Sequence, residues 1–400
     1  MPNQHETPSR IEPCLLDEIT LSTADRATDL ACKAMLLEKK VHIKTANSLA
    51  DLVRLTNCYY SNLIEGHKTK PKDIERALAE DLDKDSHNRN LQVEARAHVR
   101  LQKTLDNLFF KGEHIRPWTV DFIKNLHRDF YKDATEEMLL ITGNEDAFYM
   151  IPGHFRSESK HDMSVGHHLP PSSDVVEAFM DYFEKKYCME NMRVNSRIIA
   201  MAAAHHRFNY IHPFSDGNGR VSRLMSHAMG LYAGIGASGL WSVSRGLSRG
   251  IDDRMTYQQM MDHADMKRQG DFDGRGNLSK RALTDFIDWF IDVCIDQINF
   301  MERLYDFDAM GSRLEKYVAA HELRVESIYI LKHVWRNGEL TRGEAIAATG
   351  LGERTGRTVL ASLLEKGVLG SDTAKGQVSL RFPVESIDIF FPRLFSETVG

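Results

Sequence analysis

The sequence predicts a mainly α-helical fold with a short β-hairpin and, at the C-terminal end, a small domain of helices and strands. Three observations predict it. Apolar residues recur at three- and four-residue spacing through most of the chain, one Gly-, His- and Ser-rich stretch interrupts that rhythm, and the composition changes after Asp306. The 400 residues are 42% hydrophobic and 27% charged, an ordinary globular composition that excludes disorder, collagen and coiled coil.

Taken in order, Leu49, Leu52, Val53, Thr56, Tyr59, Tyr60, Leu63 and Ile64 keep one helical face, and Gly66 stands where such a helix stops. Similar stripes predict helices over Asn90–Phe110, Trp118–Tyr131 and Asp174–Tyr187, whereas Tyr149–Val165 reads as a short hairpin or loop. A small-residue helix from Met192 runs toward His206 and breaks at Ile211–Asp216. A second helix follows, with Val221, Leu224, Met225, Ala228, Leu231 and Tyr232 on one face. Leu224–Ser244 has membrane-like length but carries four glycines and four serines, so it reads as a buried helix followed by a tight loop. Further helices are expected over about Ile251–Lys267 and Lys280–Arg303. Beyond Asp306, Ser327–Trp335, a capped helix opened by Thr341 and Glu344, and Glu353–Lys366 precede two strands, Val368–Leu369 and Val378–Phe382, around the turn Asp372–Gly376. Three short helices and a hairpin in that order predict a winged helix-turn-helix.

Charge narrows the function. Lys and Arg number 51 against 57 Asp and Glu, a net −6, so no global basic field drives the chain onto nucleic acid or an anionic membrane. No segment reads as a signal peptide or a membrane span. The five cysteines are scattered without metal-ligand spacing, which fits free thiols in a reducing, cytoplasmic setting.

The chemistry concentrates in Ile211–Arg223, IHPFSDGNGRVSR. A loop delivers a histidine and an acid into a helix start made of Gly217, Asn218 and Gly219. Unpaired first-turn N–H groups and small residues make such a start an anion cradle. Arg220 and Arg223, three apart, share one helix face where two guanidinium groups can hold successive phosphates, and that face reads as open. Asp216 is a hard oxygen ligand suited to Mg²⁺ between phosphates, and His212 is a candidate base.

HPFSDGNGRVSR resembles the signature of Fic-domain proteins, and the likeness extends over about Asn47–Arg303. The resemblance implies a Fic-type helical bundle with a short β-hairpin flap, and transfer of AMP from ATP to a Ser, Thr or Tyr hydroxyl of a target protein, the chain itself included. His212 would take the proton, Asp216 would hold Mg²⁺, Gly217, Asn218 and Gly219 would line the anion hole, and Arg220 and Arg223 would grip the β and γ phosphates. Ser61-Asn62-Leu63-Ile64-Glu65-Gly66 resembles the family's inhibitory motif, with Ser61 opening it and Glu65 pairing with Arg223. Gly153-His154-Phe155-Arg156 through Pro171 resembles the target-docking flap, and Gly270–Asn277 resembles the loop before the last helix. The implied domains are 1–113, a helical region containing an inhibitory helix over 46–66; 114–305, the catalytic core; and 306–400, the winged helix.

Some residues read as structural: His205 and His206 as packed histidines, His167 and His168 as surface-loop residues. Between Arg336 and Arg381 seven basic residues face five acidic ones, with Arg354 and Arg357 on the recognition helix, so contact with DNA or with protein both stay open. A homodimer stays open as well. Two rival readings are a nucleotide-sensing, DNA-binding regulator and a hydrolase that removes AMP at the same site.

Overall fold

The structure is a computed structural model that describes residues 6–142, 147–251, 254–373 and 375–395. The chain begins with α1 (Leu21–Glu38), α2 (Ile43–Ile64), α3 (Pro71–Leu78), α4 (Ser86–Phe110), α5 (Val120–Phe130) and α6 (Glu136–Leu139). A two-stranded antiparallel ribbon, β1 (Leu140–Thr142) and β2 (Ala147–Tyr149), follows. Then come α7 (Val176–Lys186), α8 (Val194–Ile211), α9 (Asn218–Tyr232), α10 (Val243–Arg249), α11 (Tyr257–Ala264) and α12 (Lys280–Leu304). The remainder comprises α13 (Phe307–Ala320), α14 (Ser327–Asn337), β3 (Glu339–Leu340), α15 (Arg342–Ala348), α16 (Glu353–Glu365), β4 (Leu369–Gly370), β5 (Val378–Leu380) and α17 (Ile387–Phe390).

The described chain is organised into two compact units. One comprises residues up to 32 with 57–236 and 242–297; the other comprises 33–56, 237–241 and 298 onward. In the first unit α8 and α9 pack on each other, α4 and α5 lie against α9, and α7 lies against α8. The small residues of α8 permit that approach: Ala200, Ala202, Ala203 and Ala204 are fully buried, as are Phe208 and Ile211, which fill the space beside them. In the second unit β3, β5 and β4 form an antiparallel sheet in that order beside α13–α17, and Thr341 caps α15 together with Glu344 as the capping box predicts. On α16, Arg354 and Arg357 are exposed, and Arg357 pairs with Glu353 at 2.5 Å.

The fold departs from the sequence reading in four places. The hairpin lies upstream of Tyr149–Val165, at Leu140–Tyr149; its connection, residues 143–146, lies outside the described residues. Residues 150–164 contain no strand, and only an isolated bridge pairs Val165 with His168. The helix expected over Ile251–Lys267 is confined to α11, because Thr256 and Gln259 form a capping box that sets its start. The loop expected behind the buried helix begins after Tyr232, where α9 ends, and passes into α10 at Val243. Residue 374 of the expected Asp372–Gly376 turn lies outside the described residues. No helix among the described residues is long and apolar enough to cross a membrane, and the five cysteines are free.

Candidate active site

The site is built where α8 ends and α9 begins. His212 closes α8 in the left-handed region, φ 50° and ψ 60°, and its N–H still donates to the Phe208 carbonyl at 3.0 Å. That conformation is unfavourable for a non-glycine residue. Arg156 over-determines it from outside: Nε donates to the His212 carbonyl at 2.7 Å, Nη2 to the Ile211 carbonyl at 3.0 Å, and its backbone N–H to the Pro213 carbonyl at 2.9 Å. Asn218 closes the loop from inside. Its Nδ2 donates to the Phe214 carbonyl at 2.8 Å and its Oδ1 accepts from the Phe214 N–H at 2.9 Å. Phe214 is buried and stacked on the His127 ring, 3.8 Å between centroids. The His127 Nδ1 accepts from the Gly153 N–H at 2.9 Å, which leaves Nε2 to donate to the Asp216 carbonyl at 3.2 Å.

Burial holds the His212 imidazole down at about 4, and the Arg156 guanidinium adds to that lowering. The ring is therefore neutral at neutral pH, the state in which it can accept a proton.

α9 starts without a side-chain N-cap, and Gly217 stands before it at φ 79°. A Cβ there would lie 2.7 Å from the Tyr131 hydroxyl, so only glycine admits that ring. Tyr131 in turn donates to Asp216 Oδ2 at 2.8 Å. Burial pushes the Asp216 carboxyl up, but the Arg220 charge, the Tyr131 hydroxyl and the Gly217 N–H together outweigh it and keep the group ionised. Arg220 reaches back with Nη2 to Asp216 Oδ2 at 3.1 Å and with Nη1 to Glu94 Oε1 at 2.5 Å. Among the described residues no group of three or more His, Cys, Asp or Glu side chains could hold a metal ion. Asp216 is thus a single protein carboxylate, which suits a Mg²⁺ ion whose other ligands are phosphate oxygens and water.

Arg223 is gripped by the end of α2. Its Nη2 donates to Glu65 Oε1 at 2.5 Å, Nε to Ser61 Oγ at 2.9 Å and Nη2 to the Ser61 carbonyl at 3.3 Å. Glu65 is delivered there by a Schellman stop: Gly66 at φ 83° with its N–H on the Leu63 carbonyl, and His67 N–H on the Asn62 carbonyl at 2.9 Å. Burial raises the Glu65 carboxyl, yet the Arg223 and Arg220 charges and the Arg223 hydrogen bond leave it below its ordinary value. Gly219 makes room for this pair, since a Cβ at that position would collide with Glu65 Oε1. A cavity of about 420 Å³ opens beside it, lined among others by Glu65, His212, Gly219, Arg223, His168 and Tyr257.

The structure thus brings Ser61, Glu65, His212, Gly219 and Arg223 together, with Asp216, Gly217, Asn218 and Arg220 at the adjoining helix start. The arginine face of α9, read as open, is closed: Arg220 is 4% exposed and Arg223 1%, because Glu94, Asp216 and Glu65 occupy it. The Asn218 side chain serves the loop. Of the four residues that open the expected flap, Gly153 and Arg156 support the catalytic loop, Phe155 is buried against Phe214 at 5.1 Å, and His154 is exposed. His168 is no surface residue. Its Nδ1 meets Asp265 Oδ2 at 2.9 Å and its Nε2 the Tyr210 carbonyl at 2.7 Å. His205 and His206 are fully buried and hydrogen-bonded, as read. Glu94, His127 and Tyr131 carry no local signal in the sequence. They sit on helices remote in the chain and are recognisable only once α4 and α5 pack on α9.

The site is a helical one in which a histidine-bearing loop runs into an uncapped, arginine-bearing helix start. Residues 117–229 match the Fic/DOC family model. The chain is similar to the protein adenylyltransferase Fic of Nematostella vectensis, 30% identical over 186 residues, covering 44% of this chain and 37% of that protein. It is also similar to the protein of the same name from Culex quinquefasciatus, 37% identical over 103 residues, 26% of this chain and 20% of that protein. The chain therefore spans well under half the length of these relatives. A Fic family protein from Desulfovibrio desulfuricans G20 shares the fold with a TM-score of 0.52 at 15% identity, over 92% of this chain and 98% of that one. A Fic domain containing signaling protein from Bacteroides thetaiotaomicron gives 0.50 at 17%, over 70% and 96%.

Proposed function

We propose that this chain is an autoinhibited protein adenylyltransferase that moves AMP from ATP to a hydroxyl side chain of a target protein. The observation that carries the proposal is the shared cavity: a neutral histidine, an uncapped helix start and a guanidinium lie around one space, and a carboxylate of the same chain occupies that guanidinium. His212 accepts the proton of the target hydroxyl as its oxygen bonds to the α-phosphorus, and the bond to the bridging oxygen breaks to release pyrophosphate. The first-turn N–H groups of α9 and Arg220 bear on the phosphate charge, which in such a reaction supplies most of the catalysis. Mg²⁺, with Asp216 as its protein ligand, would neutralise phosphate charge. Glu65 competes with the γ phosphate for Arg223 by charge and by volume. Dissociation of Glu65 from Arg223 is then what activates the enzyme.

The test is incorporation of label from ATP carrying it on the α phosphate. His212→Ala should abolish it, and Glu65→Gly should raise it at least tenfold, the weight of about 1.4 kcal/mol. Label that reaches protein only from the γ position would make the chain a kinase and end the proposal. Release of AMP from a pre-modified target, with Glu65 required, would favour the hydrolytic reading, because Glu65 and His212 line the same cavity. The three helices and sheet around β3–β5 are proposed as a winged helix that docks a protein or DNA. The exposed Arg354 and Arg357 support this reading, and a salt-dependent gel shift tests the DNA arm.

A further inference from the structure

We propose that Glu94 is a positioning residue for the phosphate clamp: its carboxylate holds the Arg220 guanidinium from the core side and keeps it aimed at the start of α9. The inference rests on the nucleotide reading above and extends it to a residue outside the matched segment. Glu94 projects from α4, which packs against α5 and α9. It is 8% exposed, and Arg220 is 4% exposed. Glu94 Oε1 forms an ion pair with Nη1 at 2.5 Å, Asp216 accepts a hydrogen bond from Nη2 at 3.1 Å, and the guanidinium carbon lies 5.5 Å from the Phe130 ring centre and 5.8 Å from that of Tyr131. The second Glu94 oxygen faces His67 Nδ1 at 3.6 Å.

The two arginines of α9 thus each meet a distant glutamate, but the glutamates stand on different sides. Glu65 lines the cavity, where it takes the place of a ligand. Glu94, like Arg220 itself, is absent from that lining and meets the guanidinium in the packed interior between α4 and α9. An arginine has three χ bonds of freedom beyond Cβ, and ordering them at the moment of binding costs affinity; a buried carboxylate that orders them beforehand removes that cost. Without Glu94 the guanidinium would keep its pair with Asp216 but lose its anchor on α4 and, with it, its fixed aim.

The experiment uses the full chain carrying Glu65→Gly, with magnesium present throughout, and compares ADP with AMP by titration calorimetry. Only ADP has the β phosphate. Glu94→Gln should weaken ADP about tenfold, the scale of one misaimed charge-assisted hydrogen bond, and leave AMP within about twofold. Arg220→Ala should weaken ADP selectively, and adding Glu94→Gln to it should weaken ADP no further. In the transfer assay Glu94→Gln should lower kcat/KM for ATP about tenfold, and Glu94→Gln added to Arg220→Ala should lower it no further. Glu94→Asp keeps the charge, withdraws the carboxylate by one methylene and should show the same selective loss, so a Gln variant that fails to fold does not decide the matter. Equal loss of ADP and AMP, unchanged ADP affinity in the Asp variant, or additive losses in the double variant would overturn the role of Glu94 alone. Absence of all nucleotide binding in the Glu65→Gly protein would overturn the nucleotide reading with it.

Discussion

His212 has to be neutral to take a proton, and the fold secures this by burial, with the Arg156 charge beside it. The sign of the consequence follows directly. A folded value of about 4 lies below the ordinary 6.5, so the basic form persists from neutral pH down to the neighbourhood of pH 4. AMP incorporation by the Glu65→Gly protein should therefore show no acid limb near 6.5. A limb centred there would mean that the ring is solvated as a free imidazole is. At this scale the grouping of the candidate residues was legible where neighbours in the chain are neighbours in space. His212 and Gly217–Arg220 form one loop and one helix turn, and Ser61–Glu65 one helix end. The sequence carried nothing for Glu94, whose partner Arg220 lies on another helix, nor for His168, whose imidazole is held by Tyr210 and Asp265 through packing of separate segments.

Among the elements, α2 and α9 depend on their glycines for different reasons, and substitution separates them. Gly66 has open space around its missing Cβ and only the left-handed φ of 83° to lose. Gly66→Ala should cost about 1 kcal/mol, loosen the α2 end that carries Glu65, and raise AMP incorporation. Gly217 has φ 79° and also the Tyr131 ring against it. Gly217→Ala should cost more than Gly66→Ala and abolish incorporation, because the ring or the loop must move. Thermal melting and the α-labelled assay on both variants check the ordering; equal melting losses would show that Tyr131 yields freely. The long helices α4, α5, α8, α9 and α12 were legible because each keeps an apolar stripe or a run of small residues. α1, α3, α10 and α13 lie outside the helices the sequence predicts, and the ribbon lies just upstream of the stretch that reads as hairpin or loop, which is loop. The ribbon's strands are three residues each, too short for alternation to distinguish them from loop.

For the molecule as a whole, the site's histidines are also an acid-sensitive load. His98, His127 and His205 are fully buried, and burial lowers them to about 3, 4 and 3. In the unfolded chain each takes up a proton near 6.5, while in the folded chain each refuses it until pH 4 or below. The unfolded state therefore binds more protons across that window, so stability is full above pH 6.5 and falls as pH drops toward 4. Each histidine contributes up to ~1.4 kcal/mol per pH unit. The carboxylates act lower: Asp216 and Glu65 have folded values below their ordinary 3.8 and 4.5, so the stability they add is withdrawn as pH falls through and beneath those values. Acid destabilisation should accordingly begin at a higher pH than the range in which Asp216 and Glu65 withdraw theirs. Urea midpoints should drop between pH 7 and pH 5, and His98→Gln, which keeps a polar side chain without a titrating ring, should flatten that drop. A midpoint constant over this range would mean that water reaches the imidazoles in the folded protein, and the neutral state assigned to His212 would lose its physical basis with theirs.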